Sequence, residues 1–131
     1  MNIELETSAL PDILLSQADY DALDDLVGDL PGKGVAALLQ HELDRARVAS
    51  DLPAGVVGLG RWVRYADDRH PEDVRRVQLV LPADADIDAG RISILSHVGA
   101  GLIGLSEGES VEWPDPSGGR RRLTVIAVEA Q

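Results

Sequence analysis

The stretch that decides the fold runs Ala85-Asp86-Ile87-Asp88-Ala89-Gly90-Arg91-Ile92-Ser93-Ile94-Leu95-Ser96-His97-Val98-Gly99-Ala100-Gly101-Leu102-Ile103-Gly104. Ile92 to Leu95 is a short β-rich run bounded by turn formers, which reads as a strand. The next nine residues change period: apolar side chains at Val98, Leu102 and Ile103 predict one short helix laid across a sheet. Gly101 inside that helix costs about 1 kcal/mol of propensity relative to Ala. Upstream, Asp84, Asp86 and Asp88 resemble a calcium loop only superficially. That loop needs Gly directly after the third acid and Glu at its last position, whereas Ala89 and Leu95 stand there. The three acids therefore read as a solvated turn.

Working outward, Trp62-Val63-Arg64-Tyr65, Val74 to Leu81, Ser110 to Trp113 and Arg122 to Val128 are further short runs rich in Val, Ile, Leu and aromatic residues. With Ile92–Leu95 they predict an antiparallel sheet from Val56 onward. Asp67, Asp68, His70, Glu72 and Asp73 fall between two of these strands and read as an exposed hairpin loop. Arg120-Arg121-Arg122 after Ser117-Gly118-Gly119 is the concentrated basic patch of the chain. It reads as a charged strand end that discourages edge pairing, with docking as the alternative.

The first part has helical periodicity. Pro11 and the apolar run Ile13-Leu14-Leu15 precede Ser16-Gln17-Ala18-Asp19, a capping pattern that starts a helix at Ser16. Tyr20, Leu23, Val27 and Leu30 share its apolar face. Gly28 to Gly34 then turns the chain. A second helix is expected from about Val35 to Ala49, roughly 22 Å long, with Val35, Leu39, Leu43 and Ala46 on one face and Glu42 with Arg45 as a surface pair. The expected class is thus α+β: an N-terminal antiparallel helical hairpin, a short coiled coil, followed by a sheet with one short helix. The Pro- and Gly-containing linker near Pro53 divides residues 1–52 from 53–131.

Composition bounds the function. Of 131 residues, 44% are hydrophobic and 27% charged, as in ordinary globular proteins. Twelve basic against 23 acidic side chains give a formal charge of -11, which disfavours direct nucleic-acid binding and suits either solubility or a basic protein partner. The absence of cysteine excludes disulfides, zinc thiolate sites and a Cys nucleophile. No apolar run of about 18 residues and no signal-like start is found, so a cytoplasmic protein without membrane contact is expected. His41, His70 and His97 fall on separate elements, and no catalytic triad, cofactor loop or metal site can be assembled from the residues.

The segment from Ala85 to Gly99, continued by Gly101-Leu102-Ile103-Gly104 and Glu107-Gly108-Glu109, resembles the C-terminal domain signature of the Gre factors. That resemblance implies an FKBP-like domain that holds the protein on core RNA polymerase at the rim of the secondary channel. The docking residues it implies are Ser93, Ser96, His97, Val98, Gly99 and Leu102. Two positions depart from the pattern: His97 stands where Pro is usual, and Gly101 where a helix former is usual. Pro11 to Ser16 with Asp19, Tyr20 and Leu23, and His41 to Ala46, resemble the regulator of nucleoside diphosphate kinase (Rnk) family, Gre-like proteins with a shortened hairpin. Any effect on nucleoside diphosphate kinase is expected to be indirect.

The hairpin tip, with Asp25, Asp29 and Lys33, lacks the paired carboxylates at its end that transcript cleavage by Gre factors needs to retain a second magnesium ion. The expected role is therefore a non-enzymatic regulator that occupies the Gre site, as a monomer or weak dimer. Two alternatives remain: a cleavage-stimulating factor that uses Asp25 with Asp29, and a dimerising interaction module. A prolyl isomerase is disfavoured, because no Phe and only two Tyr and two Trp are present to line a proline site.

Overall fold

The computed structural model describes residues 12–30, 32, 34–114 and 119–129. Strand β1 (Leu14–Ser16) leads directly into helix α1 (Gln17–Gly28), and α2 (Val35–Arg45) is followed by β2 (Arg47–Ala49). Then come β3 (Trp62–Asp67), β4 (His70–Val80), β5 (Arg91–Ser93), the short helix α3 (His97–Leu102), β6 (Ser110–Pro114) and β7 (Arg120–Val128). Two single 3-10 turns, Pro82–Asp84 and Ile87–Ala89, link β4 to β5.

Local chemistry explains the helix starts. Ser16 is extended and its Oγ accepts the Asp19 N–H at 3.1 Å, capping α1. Ser96 repeats the device, accepting the Gly99 N–H at 3.0 Å ahead of α3. The second helix is shorter than its periodicity predicts. It ends at Arg45 because Ala46 turns extended (φ -73°, ψ 146°) and the Arg47 N–H donates to Ile13 O at 3.0 Å. Residues 47–49 then pair in parallel with β1. A small sheet therefore closes the base of the two helices, where helix alone was expected.

The five-stranded sheet has the order β5-β4-β3-β7-β6. The β3–β4, β3–β7 and β6–β7 pairs are antiparallel as expected, but β4 and β5 are parallel. Residues 81–90 return along the sheet through the two 3-10 turns, so β5 enters beside β4 in the same direction. The sheet is mixed for that reason.

One face of the sheet carries α3. The glycines of α3 make close packing possible: a Cβ on Gly99 would lie 2.6 Å from Ser93 O, and one on Gly101 would lie 3.0 Å from Trp113 and Leu123. The helix propensity lost at Gly101 is exchanged for contact with the sheet. A single apolar cluster then joins Leu15, Leu23, Leu39 and Leu43 to Val57, Ile94, Leu102, Ile103, Leu105 and Leu123. The two N-terminal helices therefore share the core of the sheet instead of standing clear of it.

The Glu42–Arg45 pair differs from expectation. Glu42 is 2% exposed, and both its carboxylate oxygens accept hydrogen bonds from Arg45, at 3.0 and 2.8 Å. Glu42 lies three residues after Leu39, on the buried stripe of α2, so the pair is buried at its carboxylate and only Arg45 keeps partial contact with water, where a surface pair was expected.

Candidate docking surface

The chain enters α3 through a hydrogen-bonded corner. The Ser96 N–H donates to Ser93 O at 2.9 Å, Ser93 Oγ accepts the Leu95 N–H at 3.0 Å, and the Ala100 N–H returns to Ser96 O at 3.0 Å. Both serine hydroxyls therefore accept from the local backbone and help to shape the corner. His97 occupies the first helical position, where Pro is commonly favoured. Ser93, Ser96, His97 and Val98 are partly exposed along this corner.

Gly99 and Leu102 belong to a different group. Leu102 is fully buried and Gly99 abuts the β5 backbone, so neither can face a partner. Their contribution is to seat α3, and the face available for contact reduces to Ser93, Ser96, His97 and Val98.

The remaining sites are dispersed. Asp25 is exposed on α1, and Asp29 is the exposed residue that caps its C-terminus. Lys33 lies outside the described residues. Asp84, Asp86 and Asp88 are all exposed, and Asp86 caps the second 3-10 turn. Among the described residues, no group of three or more His, Asp or Glu side chains is arranged to hold a metal ion, and no helix is long and apolar enough to cross a membrane.

The turn between β3 and β4 is tighter than the loop expected from its composition, and its acids have partners. Asp67 accepts the Arg69 N–H at 3.0 Å and pairs with Arg121 at 3.0 Å, while Asp68 accepts the Arg122 N–H at 2.9 Å. Arg122 pairs with Glu112 at 3.0 Å and Arg120 approaches the same carboxylate at 3.9 Å. Arg121 and Arg122 thus knit β7 to the β3–β4 turn, while Arg120 and Arg122 bridge β7 to β6.

Two residues that periodicity did not single out tie down the segment between β2 and β3, Asp19 from α1 and Arg61 from within it. Asp19 accepts the Leu59 N–H at 3.1 Å. Arg61 donates to the carbonyls of Leu52, Pro53 and Val56 at 2.8, 2.6 and 3.0 Å. Burial raises the Asp19 pKa above its ordinary value, against the Leu59 N–H, the Ser16 hydroxyl and the Arg61 charge, which pull it down. The sequence shows Asp19 only as one acid of a helix start, because its partner is far away along the chain.

Residues 52–130 match the family described as "Transcription elongation factor, GreA/GreB, C-term". Over 125 residues the chain is 33% identical to the regulator of nucleoside diphosphate kinase of Escherichia coli, covering 92% of this chain and 91% of that protein. The chain belongs to the GreA/GreB family. Within the Gre family it is also 38% identical over 109 residues to transcription elongation factor GreA of Azorhizobium caulinodans, covering 82% of this chain and 68% of that one. The solved structure of a prokaryotic transcription elongation factor GreA/GreB from Nitrosomonas europaea superposes with a TM-score of 0.69 at 35% identity, over 92% of this chain and 99% of that one. The mixed α+β architecture, with three α-helices among the described residues and a five-stranded sheet, is thus a Gre-like fold.

The Asp67–Arg121 pair gives this Gre-type domain a predictable acid response. Burial opposes the charged form of Asp67, but the Arg69 N–H and the hydrogen bond and charge of Arg121 outweigh it and hold its pKa below the ordinary 3.8. A carboxylate depressed in the folded state stabilises the fold above its unfolded pKa, and that stability is lost as pH falls through the folded value. Asp67→Asn is therefore expected to cost about 1 kcal/mol at neutral pH. The difference from wild type should close on the acid side of 3.8, as read from urea midpoints across that range. A gap that stays constant with pH would remove the ionised pair as its cause.

Proposed function

We propose that the chain is a regulator that docks on core RNA polymerase at the rim of the secondary channel and excludes Gre-type factors without stimulating transcript cleavage. In this reading residues 53–131 form an FKBP-like docking domain, and residues 1–52 supply a shortened antiparallel hairpin. The observation that carries the reading is the length of the two helices. At 12 and 11 residues they extend about 18 and 17 Å, and their inner faces are consumed by the shared core. A probe of that length fills the entrance of a channel but does not carry Asp25 or Asp29 far into it. The polymerase contact falls to Ser93, Ser96, His97 and Val98, the exposed part of the corner before α3.

A competition pull-down tests the proposal. Core RNA polymerase is expected to retain the chain and to release it when a Gre factor is added. Failure of retention, or retention unaffected by the Gre factor, would overturn the reading. Stalled elongation complexes given the chain and magnesium are expected to release no short 3′ RNA fragments. Fragment release would instead assign the chain to cleavage stimulation.

A further inference from the structure

Ile87 is 83% exposed, far more than the other large apolar side chains at the surface, Val48 at 41%, Ile126 at 49% and Val74 at 53%. Exposed apolar residues are common, and one such residue on a mobile loop would need no explanation. Ile87, however, is presented on a loop that backbone hydrogen bonds close at its two ends. The Asp86 N–H and Arg91 O, and the Arg91 N–H and Asp86 O, form two bonds of 2.9 Å that close the loop. Inside it the Ala89 N–H donates to Asp86 O at 3.0 Å and the Gly90 N–H to Ile87 O at 3.0 Å.

The base of the loop is pinned as well. The Gln78 N–H donates to Gly90 O at 2.9 Å, and Gly90 (φ 81°) lies so close to Trp62 that a Cβ there would be 3.1 Å from the indole. The loop therefore holds an aliphatic side chain out in water with little ordering left to do on binding, which is the condition for an efficient anchor. Asp84, Asp86 and Asp88 are exposed around it, on a chain of net charge -11. The chemistry that complements this surface is a hydrophobic socket with a basic rim. The preceding turn, Pro82–Asp84, packs on β5, which leads into the Ser93–Val98 corner, so the loop extends that surface along the sheet edge.

We infer that Ile87 is an apolar anchor, inserted into a basic-rimmed hydrophobic socket on core RNA polymerase, that adds affinity to the contact made by the α3 corner. The inference rests on the polymerase-docking reading above. The test is titration of the amine-labelled chain with bacterial core RNA polymerase, followed by fluorescence anisotropy, for wild type, Ile87→Ser and Ile87→Leu. Because Ile87 makes little of the core, Ile87→Ser is expected to keep the thermal midpoint of wild type while raising Kd about tenfold or more. Ile87→Leu is expected to stay within about threefold of wild type.

Wild-type binding with an unchanged Ile87→Ser affinity would overturn the anchor and leave the docking reading standing. No binding by wild type would overturn both. A concentration-dependent dimer, seen by light scattering and abolished in Ile87→Ser, would assign the residue to a second copy of the chain and so also overturn the inference.

Discussion

Substituting Arg45 by Met is expected to lower the free energy of unfolding by about 3 kcal/mol. An exposed pair at this spacing on a helix contributes only about 0.2–0.5 kcal/mol, so the size of the effect reports where the pair lies. Glu42 is 2% exposed, and its two oxygens take hydrogen bonds from Arg45 Nε and a terminal guanidinium nitrogen. Met replaces the aliphatic stem of Arg45 and removes its charge, leaving a largely buried carboxylate without the guanidinium that both its oxygens accept from. The double variant Glu42→Gln with Arg45→Met is expected to recover most of the loss, because a neutral amide costs far less to bury than an unpaired charge. Urea unfolding of the three proteins decides it. A loss of a few tenths of a kcal/mol in Arg45→Met would return the pair to the surface.

That pair also shows how far the sequence can be read. Ala36, Leu39, Glu42 and Leu43 are the buried residues of α2, and Glu42 belongs to their stripe by spacing. Its charge argued against the stripe, and residue type prevailed over position. The helix start at Ser16 was legible because a cap is local: one side chain and one N–H three residues on settle it. The end of α2 was not, because Ala46 continues the helical period while the competing bond from Arg47 to Ile13 is made across the chain. Strand alternation likewise located β4 and β5 but carries no information about direction, so the parallel pair was invisible.

The docking residues come from resemblance and from no local pattern. The resemblance located the Ser93–Leu102 segment, yet resemblance alone does not separate residues that face outward from residues that seat the helix. Burial does so: Leu102 belongs to the core and Gly99 to the contact between α3 and β5. The tie from Asp19 to Leu59 and the bonds of Arg61 were not legible for the opposite reason. Each looks like an ordinary surface charge, and each is bound to backbone groups that the fold alone brings near.

Placing a charge at Val98 is expected to weaken retention on core RNA polymerase by about thirtyfold, the roughly 2 kcal/mol associated with loss of a central interface side chain. Val98 is partly exposed on the first turn of α3, beside the hydrogen-bonded Ser93–Ser96 corner. Val98 also packs against the edge of the core, so Val98→Asp is expected to cost about 1–3 kcal/mol of unfolding free energy, and retention is compared under conditions where urea unfolding shows both proteins folded. Its neighbour provides the contrast. Gly99→Ala adds one methyl group to a position 2.6 Å from Ser93 O, so the helix must lift from the strand, at a cost of about 1–3 kcal/mol in stability. If Gly99→Ala also weakens retention, it does so by displacing the corner, and its binding loss should track its loss of fold. Val98→Asp should lose far more retention than its loss of fold accounts for. Equal retention of Val98→Asp and wild type would remove the α3 corner from the interface, whatever Gly99→Ala does.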